Sequence, residues 1–273
     1  MDKERNNPTE LSRDTALLLR NIGNAMREAL NGSMAAAELL SRRLEKNALA
    51  DEQDYLAILR HDQHRLLHIA ENLTELGNLT LGDARIEQSV QDLELICSEL
   101  VDTLSAMIGK VRFTFIPCGK TCFVFGSRDR LETMILNLLA YSLQRCEEGD
   151  AITLSTERSG EEVRLFLRDN GKGTEGTSVS ELYSALERDP LRGVSQGGAG
   201  LGLLVAQGIT RLYGGSLLIS TDRNSGMEAL VTLPYGHTSI LRLPRTEYGG
   251  RLRGILTILS EELTRDKYMA PYL

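Results

Sequence analysis

Two short segments, Asp169-Asn170-Gly171-Lys172-Gly173 and Gly197-Gly198-Ala199-Gly200-Leu201-Gly202-Leu203, decide how this chain is read. The first follows directly on an alternating, strand-like run, Glu162 to Arg168. The second opens a stretch, Gly202 to Leu212, with the apolar texture of a helix. Glycines at the start of a helix let backbone N–H groups approach an anion closely, and the helix terminus adds a partial positive charge. A polyphosphate suits such a site. An aspartate closing a strand can accept a hydrogen bond from an exocyclic amine such as that of adenine, which fixes a base rather than a phosphate. A single glycine cluster is more often a turn or a helix cap. The order of these two, with an apolar helix containing Asn137 upstream, is more specific.

Working outward, Ala151 to Glu157, Glu162 to Arg168, Ser216 to Thr221 and Glu228 to Leu233 read as strands, and Gln91 to Ile108 and Arg128 to Arg145 as helices. Val111 to Phe125 predicts a hairpin around Gly119, and Gly214-Gly215 stops the helix that begins at Gly202. Helices on one face of a mostly antiparallel sheet make an α+β sandwich. Ahead of it, Glu10 to Lys46 lacks proline and carries apolar residues in steps of three or four at Leu19, Ile22, Met26, Leu30, Met34, Ala37, Leu40 and Leu44, which predicts one long amphipathic helix. Asn47 to Asp51 breaks the pattern, and a second stripe at Leu56, Leu59, Leu66, Ala70, Leu73 and Leu76 ends near Gly77. A short connection between two such helices makes an antiparallel hairpin. It cannot bury both stripes alone, so two copies forming a dimeric four-helix bundle are expected, with docking on the rest of the same chain as the alternative. Leu252 to Leu263 is a further apolar-periodic segment without evident chemistry.

The 273 residues carry 31 Lys plus Arg against 38 Asp plus Glu, a net charge of −7 that argues against gripping nucleic-acid phosphates. There is no apolar run near the roughly 18 residues that cross a bilayer, and Met1 to Asp14 is polar and mixed in charge, so neither a membrane span nor a secretory signal is read and a cytoplasmic location is expected. Four cysteines, Cys97, Cys118, Cys122 and Cys146, are too few for a disulfide scaffold and lack two CxxC pairs. Reduced thiols are expected, and no metal site is read from Cys118 and Cys122, which flank a turn.

Asn137-Leu138-Leu139, Asp169-x-Gly171-x-Gly173 and Gly198-x-Gly200-Leu201-Gly202-Leu203 resemble the N, G1 and G2 boxes of the ATP-binding domain shared by sensor histidine kinases, type II topoisomerases and Hsp90. The helical hairpin resembles the dimerisation and histidine-phosphotransfer domain of the kinases. The resemblance covers about Glu10 to Pro234, including Gly214-Gly215-Ser216 and Val231-Thr232-Leu233-Pro234. It implies a hairpin domain at 1–82, an ATP-binding domain at 83–235 and an extension at 236–273. It also implies ATP or ADP bound by Asn137, Asp169, Gly171, Gly173, Gly198, Gly200, Leu201, Gly202 and Leu203 under a lid at Thr174 to Gln196, where Leu182-Tyr183 stands nearest to an F box. The partners implied are a second copy and a response regulator or partner kinase.

The sequence departs from the family twice. Asn24, in Asn24-Ala25-Met26-Arg27-Glu28-Ala29-Leu30, takes the position of the phosphoacceptor histidine, and Ala25 that of its acidic neighbour. Asn24 lies two residues from both Ile22 and Met26, about 200° round the helix from each at ~100° per residue, and so faces solvent. An amide nitrogen neither attacks nor stably carries a phosphoryl group. In the N box, Tyr141 replaces the second asparagine, which in the family helps hold Mg²⁺, and Gln144 replaces a basic residue; Arg145 is the alternative positive charge. A phenol is a poor substitute for the hard oxygen ligands that Mg²⁺ takes at ~2.1 Å. His61, His64 and His68 follow on the second helix, where His61 and His68, two residues past Leu59 and Leu66, are expected on the polar face. The reading is a nucleotide-binding signalling pseudokinase or scaffold of two-component type. Its alternatives are an active kinase that uses another histidine or acts in trans, and an interaction module that binds no nucleotide.

Overall fold

The computed structural model describes residues 11–44, 50–84, 89–173, 199–222, 226–237 and 248–269. The expected lid, with Gly197 and Gly198, and the break at Asn47 lie outside these residues.

Helices α1 (Arg13–Leu44) and α2 (Ala50–Leu81) form the hairpin. Leu19, Leu30 and Ala37 of α1 pack against Leu56, Leu67, Ala70, Leu73 and Leu76 of α2, all buried. One glycine on each helix sets their separation: a Cβ on Gly23 would lie 2.5 Å from the Ala70 carbonyl oxygen, and one on Gly77 2.6 Å from Arg20 Cβ. Gly77 is therefore a point of close approach, and α2 runs through it to Leu81 instead of ending there.

After the hairpin, β1 (Ser89–Asp92) leads into α3 (Leu93–Met107), whose first turn is capped by the Asp92 carboxylate accepting from the Glu94 and Leu95 N–H groups at 3.0 and 3.2 Å. Next come β2 (Arg112–Ile116), β3 (Phe123–Gly126) and α4 (Arg128–Leu143). The strands expected to pair as a hairpin over Val111 to Phe125 do not: β3 pairs antiparallel with β1, and β2 pairs parallel with β4 (Ala151–Ser159). Parallel neighbours need a long crossover. Here β3 and α4 supply it.

The main sheet continues through β5 (Glu162–Asp169), then β6 (Ser216–Asp222) and β7 (Gly226–Pro234), in the order β2-β4-β5-β7-β6. All pairings after β2–β4 are antiparallel. Alternate residues Ile152, Leu154, Val163, Leu165, Leu167, Ala229, Val231 and Leu233 are buried, as a half-solvated antiparallel sheet requires. They join one core with Leu100 and Leu104 of α3, Ile135 and Leu138 of α4, and Leu204 and Ile209 of α5 (Ala199–Leu212). This is the expected α+β sandwich.

The hairpin is not a separate lobe. Helix α2 packs on α5, where a Cβ on Gly208 would sit 2.9 Å from Leu79 Cδ1. It also packs on the extension, α6 (Tyr248–Ile258) and a 3₁₀ turn at Arg265–Tyr268, and α6 in turn packs on α4. The stripe expected on α2 shifts accordingly: Leu59 and Leu66 stay 42% and 45% exposed, while Arg60, His64 and His68 are buried toward the rest of the chain.

Candidate functional site

Asp169 ends β5 with its side chain buried. Its Oδ1 accepts from the N–H of Gly171 at 3.0 Å and of Met227 at 3.1 Å, and the Ser142 hydroxyl of α4 donates to Oδ2. Three donors hold the carboxylate in one orientation and leave Oδ2 with further acceptor capacity for an amine. Sequence reasoning missed Ser142, the residue after Tyr141. The first glycine segment is tied to the same helix, because the Arg145 carbonyl accepts from the Lys172 N–H at 2.9 Å and a Cβ on Gly171 would meet that oxygen at 2.7 Å. Gly171 is thus required by a close approach of backbone to backbone.

The described part of the second segment opens α5. Gly200 is partly exposed, whereas Leu201, Gly202 and Leu203 are buried. A Cβ on Gly202 would lie 2.5 Å from Asn137 Oδ1, so this glycine lets α5 and α4 come together. Gly173 is partly exposed, and Gly198 lies outside the described residues.

Asn137 is fully buried. His68 Nε2 of α2 lies 3.2 Å from its Oδ1 and 2.8 Å from Asn72 Nδ2, while Asn137 Nδ2 has no hydrogen-bond partner among the described residues. Burial pushes His68 down to about 4, the Asn137 bond opposing it only in part, so the ring is neutral at neutral pH. One turn along α4, Tyr141 is buried with the Arg145 guanidinium carbon 3.7 Å from its ring centroid, and Arg145 Nη1 donates to the Tyr141 carbonyl at 2.6 Å. Arg145 Nε is buried and unpaired among the described residues.

This set does not fit Mg²⁺. Its one hard oxygen, Asn137 Oδ1, is already engaged by His68 and hemmed in by Gly202, and Tyr141 and Arg145 bring a ring and a positive charge instead. The surroundings of Asp169 fit the expected base: a buried carboxylate fixed by three donors, with an orphaned guanidinium nitrogen on the turn after α4.

Asn24 is exposed and accepts from Arg27 Nη2 at 2.7 Å, on the outward face as expected. The histidines of α2 depart from expectation. His64 is buried with Nδ1 2.9 Å from Thr257 Oγ1, and burial foremost, then the charges of Arg253, His61 and Arg60, pushes it down to about 4. His68 is buried on Asn137, and His61 lies edge-on to Tyr268 with centroids 5.3 Å apart. The face taken as solvated is the face on which the ATPase-like domain and the extension dock. His237 is exposed and contacts Glu161.

The histidine kinase-, DNA gyrase B- and HSP90-like ATPase family matches residues 126–237. The alginate biosynthesis sensor protein KinB of Pseudomonas aeruginosa is 29% identical over 222 residues, 77% of this chain and 35% of that protein. The sensor protein TorS of Escherichia coli is 25% identical over 260 residues, 92% of this chain and 27% of its own length. The chain thus spans about a third of the curated relatives it matches. Full-length ShkA in complex with AMPPNP superposes with a TM-score of 0.63 at 18% identity, over 82% of this chain and 46% of that one. Among the described residues no helix is long and apolar enough to cross a membrane. Residues 126–237 therefore match the histidine kinase-, DNA gyrase B- and HSP90-like ATPase family, and the two-helix hairpin followed by this α+β sandwich has the fold of a sensor histidine kinase's hairpin and ATPase-like domain.

Proposed function

We propose that this chain is a dimeric, histidine-kinase-like regulator of two-component signalling that recognises an adenine nucleotide through Asp169 and does not transfer its phosphoryl group. The observation that carries the reading is the state of Asn137: its carboxamide oxygen is held by His68 of the chain's own hairpin, next to a Tyr141–Arg145 pair where metal-binding chemistry is expected. Phosphoryl transfer depends on positioning and on metal neutralisation of developing charge, so these changes bear on rate more than on base recognition. Asn24 at the acceptor position, and His64 and His68 of α2 buried against the rest of the chain, point the same way. In this reading the nucleotide-contacting residues are Asn137, Asp169, Gly171, Gly173, Gly198, Gly200, Leu201, Gly202 and Leu203, the domain boundaries fall near 82 and 235, and the protein works in the cytoplasm.

Dimerisation is supported by what the hairpin leaves uncovered. On α1, positions 18, 22, 25, 29, 32, 36 and 39 alternate steps of four and three; Leu18, Ala25, Ala29, Gly32, Ala36 and Leu39 are exposed. Tyr55, Leu59 and Leu66 do the same on α2. Such heptad faces are buried in four-helix bundles. A response regulator or partner kinase is the proposed reader of this dimer.

Calorimetry with ATP and ADP, with and without Mg²⁺, tests the proposal together with incubation in γ-labelled ATP. Binding that is insensitive to Mg²⁺, is lost in Asp169→Asn and leaves no acid-labile label supports it. Acid-labile label that disappears on changing His61, His64 and His68 refutes it in favour of a working kinase. Titrations flat for both nucleotides refute it in favour of a pure interaction module.

A further inference from the structure

The connection from β2 to β3 brings together three side chains that the nucleotide site does not use. Gly119 adopts φ +71°, the left-handed conformation that turns the chain back on itself between Cys118 and Cys122. The two Sγ atoms lie 3.1 Å apart. From the first turn of α3, Glu94 brings its carboxylate to the same point, and the three potential ligand atoms all lie within 4.8 Å of one another. Glu94 is held there by neighbours: Oε1 accepts from the Cys118 N–H at 2.8 Å and from the Thr156 hydroxyl of β4 at 2.6 Å.

We propose that Cys118, Cys122 and Glu94 bind one divalent cation of the Zn²⁺ class, through two thiolates and one carboxylate. The four-residue step between the cysteines falls in the C-x₂₋₄-C range of zinc sites, and thiolate with carboxylate is a donor set that suits Zn²⁺. A disulfide needs the sulfurs to close from 3.1 Å to about 2.05 Å. Two ligands on a tetrahedral Zn²⁺ at ~2.3 Å stand about 3.8 Å apart, which asks for a smaller movement and, unlike a disulfide, employs Glu94. Uptake of the ion releases the two thiol protons to solvent, with no change of oxidation state. Cys118 is partly exposed, which gives an ion a path from solvent. The ion joins the β2–β3 connection, the start of α3 and, through Thr156, the sheet.

The test uses the full chain, stripped with a chelator under reductant and titrated with Co²⁺, whose thiolate charge-transfer absorption counts coordinated sulfurs. One Co²⁺ per chain with a two-thiolate band, displaced by Zn²⁺, is expected. Cys118→Ser should lose about half of the band. Glu94→Gln keeps an oxygen to accept from Cys118 and Thr156, and so keeps the fold; it should weaken binding at least about tenfold with the band intact. Absence of a band at micromolar protein, a band untouched by Cys118→Ser, or a Cys118–Cys122 disulfide forming in place of metal uptake overturns the proposal. None of these readouts involves nucleotide, so they stand apart from the function proposed above.

Discussion

The contact between His68 and Asn137 makes the docked arrangement acid-labile by a calculable amount. An imidazole titrates near 6.5 in an unfolded chain, and burial pushes His68 down to about 4 in the folded one. The unfolded state therefore binds the proton first as pH falls. The stability tied to the neutral ring is complete above about pH 6.5 and is lost progressively down to the folded value. At pH 5 the loss is about 2 kcal/mol, and below pH 4 it reaches about 3 kcal/mol. His64 adds a loss in the same direction, whereas burial raises the carboxyl of nearby Glu71, which opposes both as it protonates. Comparing the wild type with His68→Gln cancels those neighbours. Urea unfolding at pH 7.5 and pH 5 should show the wild type losing about 2 kcal/mol more than the variant. Imidazole ¹H–¹⁵N spectra read the ring directly. Titration of His68 near 6.5, or identical pH dependence in the two proteins, would refute the argument that this ring is buried and neutral.

Three further outcomes follow from the packing. Gly202→Ala should lower stability by about 1–3 kcal/mol in thermal unfolding, because the new Cβ falls on Asn137 Oδ1, whereas Gly254→Ala, with nothing within 4 Å, should leave stability unchanged or raise it by up to about 1 kcal/mol. Ser142→Ala removes a donor from the buried Asp169 carboxylate and should cost about 1–3 kcal/mol in denaturant unfolding; no change would mean that the two N–H groups suffice. Tyr268→Phe loses the 2.8 Å bond to the Leu256 carbonyl and about 1 kcal/mol, while Tyr268→Ala should lose about 3–5 kcal/mol and speed amide exchange along α2 around His61 and His64; unaltered exchange would show that the extension does not brace the hairpin.

The strands from Ala151 to Leu233 were readable because each buries one face, so a single period runs through its sequence, and helix α4 because it is an apolar run of helical length buried all round. Helix α2 was not. It packs on α1 along one side and on α5 and the extension along another, and the second side is built from Arg60, His64, His68 and Asn72, whose polarity imitates a hydrated surface. Buried polar residues of this kind are satisfied by partners far off in sequence, such as Thr257, Asn137 and the carbonyls of Tyr268 and Met269. The pairing of β2 and β3 failed for a similar reason. Two adjacent alternating runs suggest a hairpin, but β3 is claimed by β1, thirty-odd residues upstream. Within the site, Asp169 and Asn24 were legible from position and period. The glycines were only partly so, since Gly171 and Gly202 answer to close approaches that need no ligand.

These observations place the hairpin and the proposed nucleotide in competition. Helix α4 is buried from Leu131 to Leu143 at every residue but Thr133, with the sheet on one side and α2, α5 and α6 on the others. A phosphate oxygen can accept from Asn137 Nδ2, unpartnered among the described residues, but a metal ion drawing on Asn137 Oδ1 must take it from His68, and a ligand gains only the difference between its own contacts and those it breaks. In the proposed reading the docking of α2 therefore reduces the apparent affinity for a metal-bound triphosphate more than for a ligand held at Asp169 alone. The extension strengthens that bias: Arg60 Nη1 reaches the carbonyls of Tyr268 and Met269, and Nη2 pairs with Glu38 of α1 at 3.2 Å, so one guanidinium ties both hairpin helices to the end of the described chain. By linkage, whatever undocks the hairpin raises the affinity for a metal-bound nucleotide, and such a nucleotide when bound loosens the hairpin by the same free energy. A protein with no phosphoryl group to hand on can still signal in this way, through the orientation of the hairpin that a partner reads.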